Sequence, residues 1–369
     1  MINSFYYSFP TVYYFGIDSL ENLDRILPQT TKQVLVLCGK SSAQKLGICE
    51  KLTLLFRNKN INLSFYEGCS KNPSSELVKR LSKKVLSSAT DTIIAIGGGS
   101  VIDLGKAIVY ELKDIRQIYF GTVLTVPSSG SESNRSFVIY DEVSENKIAK
   151  ADHAVIPRFA ICDPSFCSGL SKYQISCCLS DIMAHLLEQM FSKEDWNLTD
   201  DLILATIKNV NRTAGLLLSG QKQQDAWSDL VLASSFSLSY ILSCGRTMDW
   251  VAHTFEHAIS GKYNTNHAEG MRIIMPEWIR FSSGNEFYHK KLSAFSKELP
   301  CKDAMLFIED FYNKLQLSSS FNDLLPAKPN PEQLADTVMA GKDFIGKVHC
   351  IDKEKCLSFL NILLSKDGK

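Results

Sequence analysis

Two pairs of residues four apart, followed by a further histidine, mark where this chain could do chemistry. In Asp249-Trp-Val-Ala-His253-Thr-Phe-Glu-His257 the two histidines share one face of a helix, because residues four apart project together. Gly261 and the polar stretch Lys262 to Asn266 can end that helix and return the chain, carrying His267 back toward the same face. Upstream, Asp181-Ile-Met-Ala-His185 sets a carboxylate and an imidazole one turn apart. A single His-x-x-x-His pair is more often two unrelated histidines. Two such i,i+4 pairs plus a third histidine after a turn, in a chain with seven histidines, read as one site. One carboxylate with three or four neutral imidazoles suits zinc or ferrous iron and leaves a divalent ion about one positive charge, so it stays a useful Lewis acid. His153, His289 and His349 have no such company and read as structural or exposed.

A second chemistry is signalled by Thr92-Ile-Ile-Ala-Ile-Gly97-Gly98-Gly99-Ser100-Val-Ile-Asp103, an apolar strand running through three glycines into a helix, with Ser100 and Asp103 at capping-box spacing. Without Cβ atoms the glycines let a phosphate reach main-chain N–H groups, and the helix dipole favours its charge. The turn is not a P-loop, since Ala107 follows Lys106 where Ser or Thr should bind magnesium, and Ile102 replaces the third glycine of the usual dinucleotide fingerprint. Another turn, Pro127-Ser-Ser-Gly-Ser-Glu132, follows a second apolar strand, and two such turns at strand carboxyl ends make one crevice.

The elements that must hold these groups divide the chain in two. Val34 to Leu37, Ser41 to Arg57, Ile61 to Tyr66, Ser74 to Ser88 and Thr92 to Ile96 alternate strand and helix, which predicts βαβ units and a parallel, Rossmann-like sheet. Strand-like pieces at Gly121 to Val126, Ser136 to Tyr140 and Phe159 to Cys162 continue the pattern up to Asp163-Pro164. Beyond it, Gln174 to Ser192, Asp200 to Leu218, Asp225 to Ser243 and Lys302 to Leu315 carry apolar residues at helical spacing. The fold class expected is an α/β nucleotide-binding domain over residues 1–164 and an all-α metal-binding domain over 165–369. A nucleotide cofactor facing a metal across an interdomain cleft suits hydride transfer to or from a carbonyl carbon whose oxygen sits on the metal.

Composition removes competing classes. The 369 residues balance 40 basic against 40 acidic side chains, which offers no broad basic surface for nucleic acid or an anionic membrane. No apolar run approaches the roughly 20 residues of a membrane helix, and the amino terminus lacks signal or transit character, so a cytoplasmic location is expected. Eleven scattered cysteines without a Cys-x-x-Cys pair signal neither a disulfide framework nor a thiolate zinc site.

Taken together, Gly97-Gly98-Gly99-Ser100-x-x-Asp103-x-x-Lys106, Pro127-x-x-Gly130-Ser131-Glu132, Asp163-Pro164, Asp181-x-x-x-His185 and His253-x-x-x-His257 with His267 resemble the iron-containing (group III) alcohol dehydrogenase family. The compact Thr125 to Glu132 turn is similar to that of the butanol dehydrogenase and NADPH-dependent aldehyde reductase branch. The resemblance implies the fold shared with dehydroquinate synthase, and an NAD(P)-linked alcohol dehydrogenase or aldehyde reductase. It implies metal ligation by Asp181, His185, His253 and His267, with Fe2+ or Zn2+ as the ion. It places His257 beside the substrate and nicotinamide, in a proton relay. Gly97, Gly98, Gly99 and Ser100 would hold the pyrophosphate, Asp103, Thr125, Ser129, Ser131 and Asn134 would lie toward the nicotinamide, and Asn72 would approach the adenine side. The family often dimerises through the nucleotide domain, so a homodimer is the expected assembly, with a small alcohol or aldehyde as the other partner.

Two departures from the family pattern matter. After the strand ending at Cys38 stand Gly39, Lys40 and Ser41, with no acid to bind or repel a ribose 2′ substituent; Lys40 could pair with a 2′-phosphate, which favours NADP(H) over NAD(H). Glu256 occupies a position the family usually gives to a small residue, and a carboxylate there would suit a cationic or polar substrate. A lyase of the dehydroquinate synthase kind is the runner-up reading, disfavoured because no Lys/Arg cluster accompanies the histidine motifs. A nucleotide-binding homologue without catalysis is the third.

Overall fold

The computed structural model describes residues 2–40, 42–69, 71–221, 224–327 and 329–365, so Ser41 lies outside the described residues. The first half runs β1 (Val12–Phe15), α1 (Leu23–Ile26), β2 (Gln33–Gly39), α2 (Ser42–Lys45), α3 (Ile48–Phe56), β3 (Asn62–Cys69), α4 (Ser75–Ser87), β4 (Thr92–Gly97), α5 (Gly99–Leu112), β5 (Tyr119–Leu124), β6 (Ser136–Asp141), β7 (Asn146–Ala151) and β8 (Phe159–Cys162). Six strands form a wholly parallel sheet in the order β1-β8-β5-β4-β2-β3. All six residues of β4 are buried, as expected of a central strand covered on both faces. One register row runs Phe65, Val36, Ile94, Gly121, Phe159, and a Cβ on Gly121 would overlap the Phe159 ring, so that ring packs directly on the strand backbone. The chain moves outward from β2 to β3 and then returns to the other side of β2 for β4. This reversal puts a switch point between the carboxyl ends of β2 and β4, the usual ligand crevice of such sheets.

Three expectations are corrected here. Ser136 to Tyr140 does not extend the parallel sheet; β6 pairs antiparallel with β7 in a separate two-stranded ribbon. Ser41 to Arg57 is not one helix, because Gly47 takes a left-handed φ of 66° between α2 and α3. The helix α5 starts two residues earlier than the capping-box spacing implies, with Gly98 as its N-cap, so Ser100 lies inside the helix. Asp103 instead accepts from Ser131 Oγ (2.6 Å) and Val138 N (3.0 Å).

The second half runs α6 (Lys172–Met190), α7 (Leu198–Leu218), α8 (Gln224–Ser237), α9 (Tyr240–Ser243), α10 (Val251–Tyr263), α11 (His267–Ser282), α12 (Glu286–Glu298), α13 (Ala304–Lys314), α14 (Phe321–Leu324), α15 (Pro331–Met339) and α16 (Lys353–Ser365). Asp225 to Ser243, expected as one helix, is interrupted between α8 and α9, where Ser239 N donates to Phe236 O. The helix α6 opens with a reciprocal capping box between Ser171 and Gln174 and is buried almost throughout, with α7 and α11 against it. Among the described residues no helix is long and apolar enough to cross a membrane.

The chain forms two compact units. One contains Ser8–Leu170 with the described part of Lys222–Ser235, and the other contains Met1–Tyr7 (described from residue 2), Ser171–Gln221 and Phe236–Lys369 (described to residue 365, apart from Lys328). Two short segments thus join units remote in sequence. In the helical unit Asn3 N donates to Gly245 O (3.0 Å) and Asn3 Nδ2 to Glu194 Oε1 (3.0 Å). In the sheet unit Ser235 Oγ is hydrogen-bonded to both Glu132 Oε1 and Tyr13 Oη.

Candidate active site

In the sheet unit, the turns after β2, β4 and β5 emerge side by side, because Cys38 pairs with Ile96 and Gly97 with Leu124. The glycines bring these turns into contact. A Cβ on Gly97 would lie 2.5 Å from Val101 Cγ2, one on Gly98 2.8 Å from Val126 Cβ, and one on Gly99 2.6 Å from Ser129 Oγ. Gly39 also faces the first turn of α5, its Cβ position 3.8 Å from Val101 Cγ2. Lys40 is exposed. Asn72 takes a left-handed φ of 59° ahead of Pro73, whose carbonyl accepts from Tyr140 N (2.9 Å). Gly39, Gly97, Gly98, Gly99, Ser129 and the buried Thr125 therefore gather at the switch point.

Ser131, Asn134 and Asp103 are tied together around Lys106. Lys106 is fully buried, and its ammonium donates to Ser131 Oγ (2.8 Å), Asn134 Oδ1 (2.9 Å) and the Ser136 carbonyl (2.7 Å). Burial pushes this ammonium down to about 8, with the Asp103 and Glu132 carboxylates pulling the other way. These residues brace the second turn from inside. Lys106 is a role the sequence reading missed, although its place seven residues beyond Gly99 and three beyond Asp103 puts it on the same helical face as that acid.

In the helical unit, α6 supplies Asp181 and His185, α10 supplies His253 and His257, and His267 begins α11. The return is made by Asn264 in a left-handed conformation (φ 52°) rather than by Gly261, which remains helical. Asp181, His253 and His267 each offer a ligand atom within 4.8 Å of the others. His185 Nε2 lies 3.6 Å from Asp181 Oδ1, and its ring stacks on that of His253 with centroids 4.9 Å apart. His257 is half-buried, its ring 5.5 Å from that of His267.

Two further carboxylates back the imidazoles. Glu188 Oε1 accepts from His253 N (3.1 Å) and faces His253 Nδ1 at 3.3 Å. Glu256 Oε2 accepts from His267 Nδ1. Glu188 was legible: it follows Asp181 by seven and His185 by three, which keeps it on their face of α6. The expectation that Glu256 selects a cationic or polar substrate is corrected, because its side chain is 1% exposed and turned to His267.

Electrostatics separate the histidines. Burial pushes His185 and His253 down to about 4, so both stay neutral imidazoles, the form that ligates metal. For His267, burial also disfavours charge, but the Glu256 and Asp181 carboxylates outweigh it and hold the group up at about 9. Burial works against ionised Asp181 too, yet His185 and His267 keep its carboxyl below the usual range. Glu188 is pushed up by burial to about 8. Asp181 Oδ1, His185 Nδ1 and His253 Nε2 are buried without a hydrogen-bond partner among the described residues. Asp181 and His253 belong to the trio whose ligand atoms lie together, so their unsatisfied atoms fit a site that a cation would complete.

A parallel α/β unit with a glycine turn at its switch point, in one chain with a helical unit that gathers imidazoles around an aspartate, is the plan of a two-part oxidoreductase. Two family models match: iron-containing alcohol dehydrogenase over residues 10–164, and the C-terminal part of the Fe-containing alcohol dehydrogenase family over 178–361. The chain belongs to the iron-containing alcohol dehydrogenase family and is an oxidoreductase of it. It is 26% identical to NADH-dependent butanol dehydrogenase A of Clostridium acetobutylicum over 96% of this chain and 98% of that protein. It is also 26% identical to the NADPH-dependent aldehyde reductase of Escherichia coli (strain K12), over 74% of this chain and 75% of that one. The solved structure of NADH-dependent butanol dehydrogenase A from Thermotoga maritima superposes with a TM-score of 0.90 at 20% identity, covering 98% and 99% of the two chains, and establishes the shared fold.

Proposed function

We propose that this chain interconverts small aldehydes and alcohols by hydride exchange with a nicotinamide cofactor, NADP(H) in preference to NAD(H). Residues 1–164 would bind the nucleotide, and residues 165–369 a divalent iron or zinc through Asp181, His185, His253 and His267. The observation that carries the reading is the convergence of Asp181, His253 and His267, with His185 Nε2 3.6 Å from Asp181 Oδ1 and with buried Asp181 and His253 atoms left without hydrogen bonds. When bound, the ion supplies Lewis acidity that polarises a carbonyl or acidifies an alcohol, and the nicotinamide supplies or accepts the hydride.

The chain's own residues do the rest. Backbone N–H groups at Gly98 and Gly99, with the dipole of α5, hold the pyrophosphate. Lys106 holds the Ser129 to Asn134 turn in place through its three hydrogen bonds. His257, half-buried beside His267, exchanges a proton between the reacting oxygen and water. Lys40 attracts a ribose 2′-phosphate. A specific observation favours NAD(H) as a second reading. Glu67 on β3 acts electrostatically on the Cys38 and Cys49 thiols, so an acid does approach the end of β2.

The test is oxidation of NADPH and of NADH with a panel of aldehydes, on metal-stripped protein reconstituted with Fe2+ or Zn2+. Metal-dependent turnover is expected, with Lys40→Ala weakening NADPH roughly tenfold, the worth of one charge-assisted hydrogen bond, and leaving NADH unchanged. Binding of neither nucleotide would overturn the reading, and an unchanged NADPH affinity in Lys40→Ala would return the preference to NAD(H).

A further inference from the structure

The one carboxylate of α10, Glu256, has a task of its own. We propose that Glu256 is a positioning residue that fixes the tautomer of His267 and strengthens it as a metal ligand, an inference that rests on the metal-binding reading above. Glu256 Oε2 accepts from His267 Nδ1. A hydrogen on Nδ1 shared with this carboxylate leaves Nε2 as the nitrogen that a metal ion would take, in place of its proton. That Nε2 is the atom facing Asp181, 3.3 Å from its Oδ1. A carboxylate behind the far nitrogen raises the basicity of an imidazole and locks its ring, as partners of metal-bound histidines generally do.

The packing is matched to this carboxylate. A Cβ at Gly270, three residues after His267 on α11, would lie 2.9 Å from Glu256 Cγ and 3.0 Å from its Oε1. The helix α11 thus supplies both the histidine and the gap that admits the side chain behind it. Glu256, His257 and His267 also offer ligand atoms within 4.8 Å of one another, but His267 Nδ1 is already engaged by Glu256, so the trio reads as a ligand with its support. The arrangement parallels His253, whose Nδ1 faces Glu188 Oε1 at 3.3 Å. Two imidazoles on different helices therefore each have a buried carboxyl group behind Nδ1.

The experiment compares wild type, Glu256→Gln and Gly270→Ala after chelator stripping. Co2+ and Zn2+ affinities are measured by competition with a chromophoric chelator, and the visible spectrum of the Co2+ form is recorded. Glu256→Gln should weaken both ions about 10- to 100-fold and shift the cobalt bands. Gly270→Ala, which crowds Glu256 without removing it, should give a smaller loss in the same direction, and decides the matter if Glu256→Gln does not fold. Affinity within twofold of wild type with an unshifted spectrum in Glu256→Gln, or in Gly270→Ala where only that variant folds, would overturn the proposal alone. Failure of the wild type to take up either ion would overturn it together with the metal-binding reading.

Discussion

The turn region of the sheet unit and the histidine cluster of the helical unit are both polar and buried, but they are finished differently. Around Lys106 the ammonium meets three acceptors, Ser131 passes its own hydrogen to Asp103, and Asp103 also takes the Val138 amide. Around Asp181 three polar atoms are left without hydrogen bonds. In the first region the ammonium and its acceptors satisfy one another, although Thr125 Oγ1 and Glu132 Oε2 nearby are buried without a hydrogen-bond partner among the described residues. The second gathers ligand-type side chains that a cation would complete on the proposed reading. Buried polarity alone therefore does not mark a ligand site; several ligand-type atoms gathered within one short radius do, as they are at Asp181, His253 and His267.

Removing a ligand should expose that difference most sharply. Asp181→Asn keeps the shape of the one carboxylate among the four proposed ligands and removes its charge. Metal affinity should fall at least about 100-fold, with turnover falling alongside, since ligand loss exceeds the penalty of losing a supporting group. The stripped protein should also lose stability, because Asp181 Oδ1 faces His267 Nε2 at 3.3 Å and His185 Nε2 at 3.6 Å and the variant removes the charge from those pairs. Metal analysis and a thermal scan check both halves. A variant with full metal content, or one that fails to fold, would erase the contrast.

Lys106→Met makes the opposite prediction. It leaves Asp103, Asn134 and the Ser136 carbonyl without their cation, which should cost about 3–5 kcal/mol of stability in denaturant titration, while metal affinity stays unchanged. Its pH signature has a definite sign. With the group pushed down to about 8 by burial, the folded state binds fewer protons than the unfolded state from there up to its ordinary value of 10.5. Lys106 therefore makes stability rise with pH across that window. Buried thiols such as Cys38, pushed up by burial, act in the reverse sense, so the quantity to read is wild type minus variant, which should climb between pH 8 and 10.5. A flat difference would mean the cation is not held as described.

The same contrast explains what could be read from the sequence. Side chains that act through i,i+4 spacing on one helix, Asp181 with His185 and His253 with His257, announce themselves, because helical geometry is local. The three glycines do so as well. What stayed hidden depends on non-local pairing: the antiparallel β6–β7 ribbon, the edge strand β1, and the direction of the Glu256 side chain, which turns on the space left by Gly270 in another helix. Ser131 and Asn134, expected toward the nicotinamide, also take hydrogen bonds from Lys106, contacts spanning 25 and 28 residues that no local period reports.

The smallest effect tests how closely the two turns approach. At Gly98 the backbone is extended (φ −94°, ψ −167°), a conformation open to any residue, so a substitution there is opposed by contact alone. Its Cβ would lie 2.8 Å from Val126 Cβ and 3.4 Å from Val126 O, atoms close to the main chain that cannot rotate away. At Gly99 the obstacle 2.6 Å away is Ser129 Oγ, which a change of rotamer can remove. Gly98→Ala should therefore cost about 1–3 kcal/mol of stability and weaken NADPH roughly tenfold as the turns are pushed apart. Gly99→Ala should cost less than half of that. NADPH fluorescence titrations and melting curves on the pair decide it. Equal losses, or a larger loss at Gly99, would mean that the crevice is set by backbone conformation at the turn and not by the contact between Gly98 and Val126.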